Sequence, residues 1–208
     1  MSGAVVIGAG PGIGRAVAER FAREGLPVAV LARRPQAYAG ALALPADVAD
    51  DDALRAALDE ASARLGPPDA VVYNAALIRP DRVGALPPDE QRAAWAVNVG
   101  GAIATAAHVL PGMARRGSGT FVVTGGMPVA RPGYVSLSLG KAAVRALVEL
   151  LDEEYAPAGV HVATVTVAGT VAPGGPFDPD LIAAHYWRLH TQPRAAWQRE
   201  VVHAGITE

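Results

Sequence analysis

Two hydrophobic rhythms alternate along the chain. Short, nearly continuous apolar runs fall at residues 4–7, 28–31, 41–44, 70–73, 120–124 and 160–167, and β-branched residues fill most of them. Runs of that length predict strands buried on both faces. Between them lie longer stretches with apolar positions three or four apart. Residues 13–23 put Val17, Ala18 and Phe21 on one side, and residues 51–65 open with acidic residues and align Leu54, Leu58 and Leu65. Residues 89–113 and 135–155 are predicted as the two long helices, and 180–190 as a further one. Strands alternating with helices predict an α/β fold: a doubly wound, Rossmann-like parallel sheet forming a single domain over residues 1–208. The link between the second and third strands, A-R-R-P-Q-A-Y-A-G, is too short for an ordinary crossover helix. Little or no helix is expected there.

Composition narrows the picture. Apolar residues make up 51% of the 208, enough for a sizeable core, and aromatics only 5%, so that core is mostly Ala, Val and Leu. A net charge of −2 gives no sign of a nucleic-acid or anionic-membrane partner. The absence of cysteine excludes disulfides, a thiolate nucleophile and sulfur-ligated metal, and is compatible with a reducing, cytoplasmic setting. The first residues run straight into a strand and read as no signal peptide, and no apolar run reaches the roughly 18 residues of a membrane span.

The first strand ends in G-A-G-P-G-I-G, residues 8–14. Gly8, Gly12 and Gly14 fit G-x-x-x-G-x-G. A strand must turn sharply into a helix there, and its backbone must approach a pyrophosphate at the helix N-terminus, where the dipole favours an anion. Gly8, Pro11, Gly12, Ile13 and Gly14 are the candidate cradle. The second strand ends in Ala32-Arg33-Arg34, with no acidic residue between Glu24 and Asp47. A free ribose 2′-hydroxyl is usually met at that point by a carboxylate, and a 2′-phosphate by arginine. Arg33 and Arg34 therefore predict NADP(H).

Lys141 is the only lysine, against seventeen arginines. A surface position would accept arginine as every other basic position does. A compact ammonium is needed where a point charge must fit among hydroxyls. Ser138 to Lys141 also spells S-x-x-K, but the companion motifs S-D-N and K-T-G are missing, as is a G-x-S-x-G elbow. His185 and His190, five apart, are badly spaced for a metal pair, and no metal site is predicted.

Taken in order, these motifs resemble the short-chain dehydrogenase/reductase family over nearly the whole chain. The glycine loop matches its cofactor loop, and Asp47-Val48 looks like the pair that contacts adenine. Asn74-Ala75-Ala76 is similar to its N-A-G motif, Asn98 in V-N-V-G-G to its helix asparagine, and Lys141-Ala142-Ala143 to the lysine of Y-x-x-x-K. Gly169 and Val171 stand where the resemblance places further cofactor contacts. It implies an oxidoreductase acting on a small carbonyl or alcohol, and a homodimer or homotetramer packed through its long helices.

Several positions depart from the pattern, among them Ala76, Gly140 and Ala168, and two bear on the reaction. Leu137 stands where the family's catalytic tyrosine belongs. The catalytic serine position falls on Thr124, or with a small gap on Gly125 or Gly126. The resemblance implies that the lysine binds the nicotinamide ribose and tunes the tyrosine, while the asparagine holds a water linked to the lysine. Tyr134, seven residues before Lys141, lies near the same helix face but about 10 Å along the axis, and its phenol is the first candidate for the missing proton donor. Ser138, three before the lysine, is the second, passing a proton through water. The other reading of Tyr134 is a packing residue at a helix entrance. The candidate catalytic set is thus Lys141, Asn98, Thr124, Tyr134 and Ser138. By the same resemblance, residues 172–200 form a substrate-side lid, whose Phe177, Tyr186, Trp187 and Trp197 line an apolar pocket or else pack as core.

Overall fold

A computed structural model describes residues 3–205. Seven strands are β1 (Ala4–Ile7), β2 (Val28–Ala32), β3 (Leu42–Pro45), β4 (Ala70–Tyr73), β5 (Gly119–Gly126), β6 (Val160–Val167) and β7 (Glu200–His203). They form one parallel sheet in the order β3-β2-β1-β4-β5-β6-β7. The chain winds outward from β1 to β3, then returns to place β4 on the other side of β1, so the winding direction reverses between β1 and β4. In such sheets the crevice beyond the C-terminal ends of the strands at that reversal is the ligand site.

The period-two alternation of the strands divides the core in two. Val5, Ile7, Leu31, Val71, Phe121 and Val123 face α2 (Asp51–Leu65), α4 (Gly101–Arg116) and α5 (Val135–Tyr155). Val6, Val28, Val30, Val72, Val122 and Val165 face α1 (Ile13–Arg23) and α6 (Pro179–Thr191). The inner strands β1, β2, β4, β5 and β6 are buried along nearly their whole length because helices cover both sides of the sheet. The β2–β3 link holds only a 3₁₀ turn at Tyr38–Gly40, as its length requires.

The long helix expected over residues 89–113 is interrupted. It runs as α3 (Pro88–Trp95), a π-helical turn Ala96–Gly100, then α4. The stretch Pro88–Arg116 is long and apolar enough to cross a membrane, contrary to expectation, but half of its most apolar window is buried inside the fold, the behaviour of a core helix. Tyr73 Oη donates to the Val97 carbonyl at 2.6 Å and pins the π turn, which turns Asn98 inward. Single π turns of this kind recur at functional sites. The N-terminus of α5 is held from outside its own helix. Both oxygens of the buried Asp81 carboxylate accept from the Ser136 amide, at 3.0 and 3.2 Å.

Two features at the C-terminal end differ from expectation. β7 was not foreseen, being four residues with a charged start at the edge of the sheet. None of residues 172–200 lines the crevice, and Phe177 approaches it only from behind Gly169. In α6 the residues Ile182, Ala183, Tyr186 and Leu189 form a buried stripe against the sheet and α1. Trp187 meets Phe21 edge-on at 5.4 Å, and Trp197 stacks on His161 at 4.7 Å. Apolar spacing of three and four residues drives α6 onto the sheet, so these aromatics are packing residues.

Gly140 sets how closely α5 approaches the π turn. A Cβ there would lie 2.7 Å from Asn98 Cβ. Gly140→Ala is expected to lower stability by about 1–3 kcal/mol through overpacking, read as a fall in the urea midpoint at constant m.

Candidate active site

The crevice at the reversal point is a cleft of about 750 Å³. Its floor is the glycine loop. Gly8 has φ +82°, and a Cβ on it would sit 2.4 Å from the Ala75 amide nitrogen. A Cβ on Gly14 would sit 2.6 Å from the Gly8 carbonyl. Only glycine permits both the left-handed turn and the close packing. Gly10 and Gly12 open into the cleft, where a side chain would take up ligand space. α1 has no side-chain cap and no acidic residue in its first turn, whereas Asp50 caps α2 and Asp178 caps α6. The positive end of α1 is thus left for an external anion. This cradle fits a dinucleotide pyrophosphate.

The loop is fixed by a chain of side chains. Asn74 Nδ2 donates to the Gly8 carbonyl at 2.8 Å, and Thr124 Oγ1 donates to Asn74 Oδ1 at 2.9 Å. The Tyr186 hydroxyl lies 2.7 Å from Thr124 Oγ1. Since the threonine proton is already spent on Asn74, Tyr186 is the donor. Burial raises the Tyr186 phenol well above its ordinary pKa, which keeps it protonated for this bond. Thr124 therefore points to the α1/α6 side of the sheet, away from Lys141, and is a positioning residue. Strand alternation explains it: Thr124 shares a face with Val122, which belongs to that core.

Along the rim, Arg33, Asp47, Val48, Ala75, Ala76, Gly169 and Val171 line the cleft, and so does Ile13. Pro11 and Arg34 do not. Arg33 directly follows β2 and is exposed at the cleft.

At the inner end stands Lys141, buried on α5, with Nζ donating to the Thr124 carbonyl at 2.6 Å. Burial, then the Arg145 charge, lowers its pKa from 10.5 to about 8. Asn98 Oδ1 accepts from the Leu77 amide at 2.7 Å and Nδ2 donates to the Leu77 carbonyl at 3.3 Å, so both ends of the amide fix the segment after β4. Ser138 Oγ accepts from the Arg131 amide at 3.1 Å and does not line the cleft; its hydroxyl ties down the 127–133 loop. Tyr134, the residue before α5, does line the cleft, together with Leu137 and Lys141. The strand residue whose side chain would face the lysine is Gly126, where a Cβ would lie 3.8 Å from Lys141 Cε. Gly126 and Leu137 bring no polar side chain to the inner end, and Tyr134 is a hydroxyl-bearing residue that lines the cleft there with Leu137 and Lys141.

Sequence reasoning left Gly126 as one of three alternatives and missed Met127 and Arg131, both cleft-lining. The available signal was position: the loop after β5 must border the crevice because it leaves the C-terminal end of a central strand.

Fold and cleft together define a dinucleotide-binding α/β protein with a lysine at the reactive end of its site. The short chain dehydrogenase family profile matches residues 2–174, and the chain belongs to that family. Oxidoreductase UcpA of Escherichia coli is 33% identical over 173 residues, covering 76% of this chain and 65% of that protein, somewhat under two thirds of its length. An uncharacterized oxidoreductase of Listeria monocytogenes, Lmo0432, is 30% identical over 176 residues, covering 78% of this chain and 71% of that one. Among solved structures, an alcohol dehydrogenase from Thermococcus sibiricus complexed with 5-hydroxy-NADP superposes with a TM-score of 0.86 at 26% identity, covering 97% of this chain and 95% of that chain. A short-chain dehydrogenase from Rhodopseudomonas palustris gives 0.85 at 24% identity, covering 97% of both.

The buried lysine makes stability depend on pH. The unfolded chain holds the Lys141 proton up to about pH 10.5 and the native chain only to about 8. Between those values the unfolded state binds more protons, so native stability rises with pH and the penalty of the buried charge is relieved. Relative to Lys141→Met, the wild-type protein is expected to gain on the order of 3 kcal/mol across that window and to run parallel below pH 8, checked by urea unfolding at several pH values.

Proposed function

We propose that the chain is an NADP(H)-dependent oxidoreductase interconverting a carbonyl compound and its alcohol. The observation that carries it is the solitary lysine, buried at the inner end of a cleft whose other end is an uncapped helix N-terminus wrapped in glycine. Arg33 at the end of β2 supports the phosphorylated cofactor, as does the nucleotide bound to the Thermococcus relative. The cofactor, when bound, supplies or accepts hydride at the substrate carbon. The chain's own residues do the rest. Gly8, Gly12, Gly14 and the first turn of α1 hold the pyrophosphate, with Ile13, Asp47, Val48, Asn74, Ala75, Ala76, Gly169 and Val171 as the surrounding wall. The Lys141 ammonium, compact and fixed on Thr124, holds ribose hydroxyls. Tyr134 carries the proton to or from the substrate oxygen. Asn98, Thr124 and Ser138 act by position.

A second reading, a cofactor-binding protein without turnover, draws on Leu137 and Gly126. A panel of aldehydes and ketones with NADPH separates them. Turnover is expected, with kcat/KM falling about 100-fold or more in Tyr134→Phe and in Lys141→Ala. NADPH binding with no turnover of any carbonyl or alcohol would establish the second reading. Binding is also expected to be about tenfold tighter for NADPH than for NADH, a preference that Arg33→Ala removes; equal or tighter NADH binding refutes the phosphate assignment.

The exposed Ile103 on α4 and Leu139 and Leu150 on α5 support a homodimer or homotetramer through these helices. Sedimentation equilibrium is expected to show more than one copy, and a monomer at micromolar concentration overturns it.

A further inference from the structure

We infer that the substrate carries a carboxylate beside its carbonyl group, and that Arg131 is the residue that selects it; this deepens, and rests on, the oxidoreductase reading above. The charges lining the cleft are Arg33, Asp47, Arg131 and Lys141. Asp47, the one carboxylate, follows β3. Lys141 is tied to the end of β5 and Arg131 lies in the loop after it, four strand spacings away, or about 19 Å across the sheet. The reactive end of the cleft is therefore lined by two cations and no anion. A low-dielectric crevice lined by one sign of charge favours a ligand of the other.

Arg131 is also built to act. Its amide donates to Ser138 Oγ, and its carbonyl accepts from the Tyr134 amide at 3.0 Å. The loop is pinned at its start by Arg145, whose Nη1 donates to the Gly126 and Met127 carbonyls at 2.9 and 3.3 Å. The Gly133 carbonyl is held by the Asp81 amide at 2.9 Å. The backbone is thus anchored around Arg131, while its guanidinium makes no ion pair among the described residues. The nearby Asp81 carboxylate is buried and committed to Ser136. A fixed stem carrying an uncommitted planar donor is the arrangement that recognises a carboxylate in two-point fashion.

The charge count favours a carboxylate over a phosphate ester. A dianion calls for a second cation or a free helix N-terminus, and the nearest N-terminus, that of α5, is already closed by Asp81. Met127, Tyr134 and Leu137 line the same cleft as the guanidinium and the lysine and supply its apolar surface. The substrate class that fits is an oxo acid with an apolar carbon chain, or the corresponding hydroxy acid.

The test is calorimetric titration of 2-oxohexanoate, 5-oxohexanoate and their methyl esters into the NADP⁺-saturated protein, alongside Arg131→Gln and Arg131→Lys. At least one acid is expected to bind about tenfold or more tightly than its ester. Arg131→Gln abolishes that preference, Arg131→Lys retains part of it, and the Kd for NADP⁺ is the same in all three proteins. Equal binding of acid and ester, or an acid preference that survives Arg131→Gln, overturns the assignment while leaving the oxidoreductase reading intact. An Arg131→Gln protein that loses NADP⁺ affinity as steeply as acid affinity assigns the guanidinium to the cofactor and overturns it as well. A protein that holds NADP⁺ but neither binds nor turns over any oxo compound overturns both.

Discussion

Thr124 joins the two halves of the site. On one face of β5 its hydroxyl, fed by Tyr186, holds Asn74, and Asn74 holds the Gly8 carbonyl at the base of the glycine loop. On the other, its backbone carbonyl accepts the Lys141 ammonium. The phosphate end and the reactive end of the cleft are therefore set by one residue of a central strand. Both bonds lie in a dry interior where unsatisfied partners are costly. The chain of bonds reaches from α6 to the loop before α1 without a charged member. The one charge in the set, on Lys141, is placed where it can serve an incoming ligand.

That placement explains the choice of lysine. The ammonium sits within 2.6 Å of a carbonyl on a buried helix face, with Arg145 close enough to lower its pKa. A guanidinium is too broad for this position and would remain charged under the same burial. The Thr124 carbonyl offsets part of the desolvation, and the cofactor hydroxyls proposed above would offset more. Leu137 and Gly126 add to the burial by removing the polar groups that a more ordinary member of the family would place beside the lysine.

The sheet and the helices were legible because both faces of every central strand are covered. Continuous apolar runs such as residues 70–73 have no competing reading, and the α1 and α2 stripes show a clear helical period. The glycine loop was legible because backbone crowding at Gly8 and Gly14 leaves no other residue type possible. What was lost depended on direction rather than identity. Thr124 was assigned to catalysis because the resemblance places the family's serine there, counted back from Leu137, but its side chain lies on the Val122 face of β5 and its hydroxyl turns to the opposite core. Ser138 lies on the right helix face, yet its hydroxyl is spent on the Arg131 amide. α6 reads as a possible lid until its stripe is seen to match α1, and β7 is too short and too polar at its ends to signal a strand.

The same distinction bears on how the site came to lack its usual hydroxyls without losing its shape. Gly126 and Leu137 remove functional groups but not supports: the backbone at Gly126 is still held by Arg145, and α5 is still anchored by Asp81 at its first turn and by Gly140 against the π turn. The glycine loop is held through Asn74 by the Thr124 hydroxyl, the lysine by the Thr124 carbonyl and the π-turn asparagine by the Leu77 backbone. The cleft thus keeps its glycine floor and its buried lysine, and the 127–133 loop borders the lysine's end of it. On the function and substrate proposed above, chemistry and selectivity fall to that loop, through the Tyr134 hydroxyl and the Arg131 guanidinium, both of which line the cleft. The scaffold stays rigid and the specificity sits on a short, well-tethered connection at the C-terminal end of a central strand.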